Sequence, residues 1–571
     1  MPSPLPSSSN EVSSPSWSID IFSVENGAEL ELLARSGNWQ VLESSLPISI
    51  IEELSENDVW FRTLGSSTAL QKFTWRAARI VAGRYAETWR VPPAVLAEAL
   101  FFPLWPEICV LLACRRVARH LAAQMRPRFL VPLPSADVVC FSQWGVNGAA
   151  GLFLAYELQR RGAEVAFVRV GSERPGKADL TFHPSRAIKP LVRLWPFGAG
   201  RISPVLICEA GIRRPDAAPP AARTAGRLRQ HNVMRRVWLG DALFNPWARP
   251  RQRPLSIRFE RVAEEGRFMR YRGAFPQAFA LRVLEAFWAG PVKDGWANAV
   301  RLVERRKTVE VFVCDHHFFE SALVAGAVKA CGGTVTLLPH STNPLHRTFR
   351  SASSFDAAVA TTRLGAAQWS AAFPDKKVSV RPTMMLPPIG RKAAFDPISP
   401  LTIVIVGGAE ILGGLPCMRI KSHKATYRRF LAVPEAVRRK VNVVFKPKPG
   451  WEDEAWFAGE MAGAASVPVA VERRPILKLD HPNMVFVSVT VASSALLEGV
   501  AQGIPAVIVA DQTAAQYVPV EGSPVAMVPS SGIWAYLDDL SREGAYAALV
   551  DAQMAWLSEE IYGEAIGDGA P

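Results

Sequence analysis

The sequence predicts an α/β fold: two Rossmann-like, doubly wound domains preceded by a helical N-terminal extension. Three observations carry that prediction. From Ala136 onward, short apolar strands rich in valine and isoleucine alternate with helical stretches. The alternation breaks once, in the proline-rich run near Pro382–Pro400, and then starts afresh. Finally, Val485–Asp511 (VFVSVTVASSALLEGVAQGIPAVIVAD) reads as strand, Ser-Ser turn, short helix, Gly-Ile-Pro stop and second strand, one half of a nucleotide-binding layer.

Size and composition agree. A chain of 571 residues exceeds one compact domain. With 49% hydrophobic and 20% charged residues it can bury large cores, which excludes global disorder. The seven cysteines are scattered, odd in number and never in a CxxC pair, against both a zinc ribbon and a disulfide framework. The predicted organisation is a disordered tail (1–20), a helical region (21–130), a first Rossmann-like domain (131–390) and a second (391–571).

Element by element, MPSPLPSSSNEVSSPSW lacks a basic start followed by an apolar run, so no secretory signal is expected and the cytoplasm is the default. In the helical region, FTWRAARIVAGRYAETWR (73–90) and FFPLWP (101–106) place tryptophans at helical spacing. Such residues normally pack in a core; the competing reading is a peripheral membrane face with Arg115, Arg116 and Arg119 near acidic headgroups. Val91–Cys114 contains Glu98, Glu107 and four prolines, too interrupted to span a bilayer. The first domain opens with the strand ADVVCFS, the loop QWGVNG, a helix ending at Gly162 and the strand AEVAFVRV, a βαβ unit without a GxGxxG fingerprint. Strands follow at Pro204–Cys208, Val309–Cys314, Thr334–Leu338 and Ala357–Thr361. Beyond the linker come LTIVIVGG, VNVVFKPKPG, MVFVSVT and IPAVIVAD.

Open α/β sheets bind ligands where strands end. There the second domain offers Gly407 and Gly408 for close backbone approach, and Lys446 and Lys448 as cations. Ser493 and Ser494 stand at a helix start suited to phosphate, and Glu498 one turn later could meet a ribose. The first domain offers Asp315 and His316 after one strand and His340 after the next, candidates for a general base on an acceptor hydroxyl. His316, His317, Asp315 and His340 lack ligand spacing, so no metal is expected. No GxSxG elbow, Walker loop or recognisable Cys–His signature is present, which disfavours serine hydrolase, P-loop ATPase and cysteine protease. The net charge of +13 fits nucleic acid, an anionic membrane, acidic substrates or an arginine-preferring genome. Without zinc-finger or RNA-recognition signatures, nucleic acid is not an expected partner.

SSALLEGVAQGIPAVIV resembles the Ser/Thr, Leu-Glu-Ala/Gly, Gly-x-Pro stretch of the GT-B superfamily of glycosyltransferases. FKPKPG is similar to the basic-Pro-His-Pro turn of bacterial capsule transferases, and PHSTNP stands where those relatives carry a His-Gly loop. The resemblance implies a GT-B-like fold with the donor nucleotide in the second domain, Glu498 toward the ribose and Ser493 and Ser494 toward phosphate. It further implies an acceptor site in the first domain and catalysis without a metal or other cofactor. Lys448 replaces the turn's histidine, and Thr490 and Val491 stand where retaining members carry a second glutamate, so the resemblance favours inversion with Asp315 or His340 as base. The expected activity is sugar transfer from a nucleotide donor to a surface glycan or lipid-linked acceptor, in the cytoplasm or peripherally at the inner membrane face. The alternatives are a CDP-polyol phosphotransferase, a sugar-nucleotide epimerase, and a non-catalytic scaffold of polysaccharide assembly.

Overall fold

A computed structural model of the chain describes residues 16–42, 68–123, 128–133, 141–142, 145–146, 150–171, 180–182, 205–209, 234–238, 255–257, 260–265, 268–274, 289, 292–305, 307–313, 319–338, 354–380, 389–390, 395–406, 421–447, 457, 461–489, 491–492, 494–509, 511, 515–516 and 523–562. The molecule is α/β, and its contacts divide it into two units: residues 1–51, 103–189 and 247–291 form one, and residues 52–102, 190–246 and 292–571 the other.

The first unit is built on a six-stranded sheet. Gln40–Val41, Arg128–Pro132, Glu164–Val170 and Ser16–Val24 lie side by side in that order and run parallel. The hairpin Glu260–Glu265 and Phe268–Ala274 adds two antiparallel strands beyond Ser16–Val24. Two results differ from the sequence reading. Ser16–Val24 is a strand rather than tail, because Trp17, Ile19 and Ile21 alternate into the core with period two. The strand that precedes the helix Ala150–Gln159 in the parallel sheet is Arg128–Pro132; most of ADVVCFS lies outside the described residues. Thus 21–130 holds strands as well as long helices, and AEVAFVRV sits in a different sheet from the later strands of the predicted first domain. Gly162, in the left-handed region at φ 82°, closes the helix where the sequence places its stop.

In the second unit, α1 (Thr68–Trp89) and α2 (Pro93–Ala122) come first, α2 continuing into the other unit. Trp75 of α1, partly buried, meets Phe101 of α2 edge-on, and Trp89 is buried as the helical spacing predicts. Then follow β1 (Val205–Glu209), β2 (Met234–Trp238), β3 (Glu310–Val313), α3 (Phe319–Ala330), β4 (Thr334–Leu337), β5 (Ala357–Ala360), α4 (Arg363–Ala372) and β6 (Lys377–Val380). These six strands form an all-parallel sheet in the order 6-5-4-3-1-2. It is a doubly wound order whose direction of winding reverses between β1 and β3. Eight residues of α3 are buried, and Val95 of α2 sits where any Cβ on Gly326 would have to go.

The last stretch gives β7 (Leu401–Val406), α5 (Lys421–Leu431), β8 (Val441–Lys446), β9 (Val469–Val471), β10 (Met484–Val489), α6 (Ser494–Val500), β11 (Ala506–Val509), β12 (Ala526–Val528), α7 (Ile533–Leu540) and α8 (Glu543–Trp556). All strands are parallel, in the order 9-8-7-10-11-12, the nucleotide-binding Rossmann order. Every residue of β7, β10 and β11 is buried, as continuous apolar runs require when helices cover both faces. Ile403 and Ile405 face Tyr427 and Phe430 of α5, Trp534 of α7 and Tyr546 of α8. Val404 and Val406 face the opposite layer, with Leu496, Leu497 and Val500 of α6. Gln553 of α8 clamps the first residue of β11: its Oε1 accepts from Ala506 N, and its Nε2 donates to Ala506 O, both at 2.7 Å.

Candidate functional site

The second sheet reverses its winding between β7 and β10, the edge at which open α/β sheets of this order bind ligands. Register aligns Lys446, the last residue of β8, with Val406, the last of β7, while Ile405 pairs with Val487 of β10. Gly407 and Gly408 follow β7 directly in sequence, and α6 begins at Ser494, five residues after β10 ends. The sheet therefore brings to one edge the strands that carry the predicted glycine, lysine and serine positions. Gly407, Gly408, Lys448 and Ser493 themselves lie outside the described residues. Ser494 is the first residue of α6, and Glu498, one turn on, is half-buried.

Lys446 is the clearest charged feature of this edge. Only 5% of the residue is exposed, and its Nζ donates to Pro447 O at 3.2 Å. Burial lowers the ammonium's pKa from its ordinary value, and the nearby negative charge of Glu472 partly restores it. Glu472 is itself engaged. Its carboxylate takes hydrogen bonds from Arg474 and sits 3.3 Å from His481 Nε2, and this network, Arg474 foremost, holds it at about 2. Lys446 is thus a buried cation with spare donors and no carboxylate within ion-pair reach among the described residues.

α6 rests on the sheet through a close approach: a Cβ on Gly499 would come within 2.5 Å of the Phe486 ring of β10. Glu498 is followed by glycine because a side chain there would lift the helix from the strand. Gly503, at φ 73°, ends α6 as the Gly-Ile-Pro stop predicts. Asp511, two residues beyond β11, forms a second network that sequence reasoning passes over. It accepts from Ser530 N (2.7 Å), Ser530 Oγ (2.8 Å) and Thr426 Oγ1 (2.8 Å), and pairs with Arg429. Burial pushes its carboxyl up, but the donors from Ser530, Thr426 and Arg429 prevail and hold it at about 2. The network ties α5, which follows β7 in the chain, to the ends of β11 and β12. Its only sequence signal is an acid at a strand end.

In the sheet of β1–β6, β3 ends two residues before Asp315 and three before His316, and β4 ends three before His340. All three candidates follow strands at or beside the winding reversal, and all three lie outside the described residues. Among the described residues, an acid near this edge is Glu320. It stands in the first turn of α3 with its Oε2 buried and without a hydrogen-bond partner, and burial raises its pKa to about 7. An acid in the first turn of the mostly apolar helix FESALVAGAVKA is the available clue. Among the described residues, no group of three or more histidine, cysteine, aspartate or glutamate side chains could hold a metal.

No protein-family model and no curated protein matches the sequence. Among solved structures, the chain is similar to UDP-GlcNAc 2-epimerase from Neisseria meningitidis bound to UDP-GlcNAc (11% identity, 62% of this chain and 97% of that one, TM-score 0.37). It is also similar to Acinetobacter baumannii MurG (14% identity, 62% and 94%, TM-score 0.33). A third is α,α-trehalose 6-phosphate synthase from Burkholderia multivorans (13% identity, 63% and 93%, TM-score 0.36). These values are too low to assign an activity.

Proposed function

We propose that the chain is a nucleotide-sugar-dependent glycosyltransferase of GT-B type, with the donor nucleotide at the edge of the β7–β12 sheet. The observation that carries the reading is Lys446: a buried ammonium with no carboxylate in ion-pair reach among the described residues, aligned with the last residue of β7 beside the winding reversal of a nucleotide-binding strand order. Burying such a charge without a carboxylate is costly unless an anion arrives to match it, and a nucleotide diphosphate is such an anion.

In this reading Lys446 and Lys448 neutralise the charge that develops on the departing diphosphate. Gly407 and Gly408 let the backbone approach it, Ser493 and Ser494 contact phosphate, and Glu498 accepts from the ribose hydroxyls. Asp315, His316 or His340 takes the proton of an acceptor hydroxyl as it attacks the anomeric carbon, without a metal. The acceptor is a surface glycan or lipid-linked sugar, and the enzyme works in the cytoplasm at the inner membrane face.

Titration calorimetry with UDP, GDP, CMP and CDP tests the donor site. One nucleotide is expected to bind, and Lys446→Met to abolish its binding; silence with all four overturns the reading in favour of a scaffold. Release of free nucleotide on turnover distinguishes transfer of a sugar from epimerisation, which returns the nucleotide still attached to its sugar.

A further inference from the structure

Helical spacing assigns α1 chiefly to a core, and one of its faces packs there. Thr74, Ala78, Val81, Ala82, Tyr85 and Trp89 are all buried. The opposite face is unusual. Phe73 is 51% exposed and Ile80 is 65% exposed, seven residues apart and so on one line of the helix. Lys72, Arg76, Arg79 and Arg84 are exposed around them. Glu87 is the one acid on this face among its described residues, at the C-terminal end. At about 1.5 Å rise per residue, Phe73 and Ile80 stand roughly 10 Å apart, with the arginines on either side. Large apolar side chains aligned on one exposed face and flanked by cations are the pattern of a helix that lies in a membrane interface. No described helix is long and apolar enough to cross a membrane.

We propose that the exposed face of α1 docks on an anionic lipid bilayer, Phe73 and Ile80 entering the headgroup boundary and Lys72, Arg76, Arg79 and Arg84 pairing with acidic headgroups. Charge complementarity selects this occupant: four cations against one acid, on a chain whose net charge is +13. A neutral protein groove would leave those cations unmatched. The inference stands apart from the sugar-transfer reading, since the residues involved are remote in sequence from every donor-site residue.

The test is co-sedimentation of the full chain with vesicles of phosphatidylcholine alone and of phosphatidylcholine mixed with phosphatidylserine. Binding is expected only to the mixed vesicles and falls as salt rises. Arg76→Gln and Arg79→Gln each weaken it about fivefold, and Phe73→Ser about tenfold. All three positions are exposed, and circular dichroism confirms that the variants stay folded. Equal binding to both vesicle types, no binding to either, or affinity unchanged in the variants overturns the proposal. So does retention on RNA in place of vesicles, which would assign the cations to nucleic acid. Nucleotide binding measured on the same variants is expected to be unchanged, so this proposal and the donor-site reading can fail separately.

Discussion

Glu320→Gln probes the edge of the β1–β6 sheet without changing side-chain shape. In the folded protein the Glu320 carboxyl titrates at about 7 against an ordinary value of 4.5, with burial as the cause. Each tenfold change in proton affinity is worth about 1.36 kcal/mol, so the difference amounts to roughly 3 kcal/mol. The sign follows from proton binding. Between the two values the folded state holds the proton more tightly than the unfolded chain does, so stability falls as pH rises from about 4.5 to about 7. Above that window the folded protein carries a carboxylate whose Oε2 is buried and, among the described residues, without a hydrogen-bond partner. Glutamine cannot ionise, so the variant gains up to about 3 kcal/mol over the parent at pH 8 and little at pH 4. The assay is hydrogen exchange across α3 and β4 in a urea series at several pH values, which isolates this region from the rest of a long chain. Parallel pH profiles in parent and variant would refute the reasoning and show that Glu320 finds a partner or solvent when charged.

Three further outcomes follow from the other sheet. Lys446→Met removes a buried charge that has no ion-pair partner among the described residues, so the ligand-free protein becomes no less stable in urea while nucleotide affinity is lost; loss of stability would mark the lysine as purely structural. Asp511→Asn loses stability that is present above pH 3.8 and disappears as pH falls toward about 2. After screening by solvent that amounts to about 1 kcal/mol, read as a difference between denaturation midpoints at pH 7 and pH 3. Gly499→Ala forces the buried Phe486 ring to move and costs about 1–3 kcal/mol, checked by urea denaturation; a cost near zero would mean that α6 is free to lift.

The strands of the second half were legible because they are buried on both faces. LTIVIV, MVFVSV and AVIV have no polar alternation to confuse them, and Gly503 marks the end of α6 through the backbone angle it alone tolerates cheaply. Ser16–Val24 is hard to see because its polar positions, Ser16, Ser18, Asp20 and Ser23, continue the composition of the tail before it. Its identity as a strand comes from neighbours more than a hundred residues away, at Glu164–Val170 and Phe268–Ala274. The division of the early strands between two sheets is hidden for the same reason, since pairing partners are set by tertiary packing rather than by order in the chain. Lys446 stands out in the sequence for its place after a strand, but its burial cannot be read there. Glu320 and Asp511 differ only in whether donors surround them, and nothing local in the sequence separates a carboxylate with four hydrogen bonds from one with an orphaned oxygen.

Gln553 shows how narrow the allowed chemistry can be at a position remote from any ligand. Its planar amide imitates a neighbouring peptide unit, offering Ala506 an acceptor and a donor at once. Glutamate, though equal in length, would set a lone pair against the Ala506 carbonyl, and methionine would leave the Ala506 N–H without its acceptor. The start of β11 is therefore stitched to α8 by a rung that only one of the twenty side chains of that reach can supply.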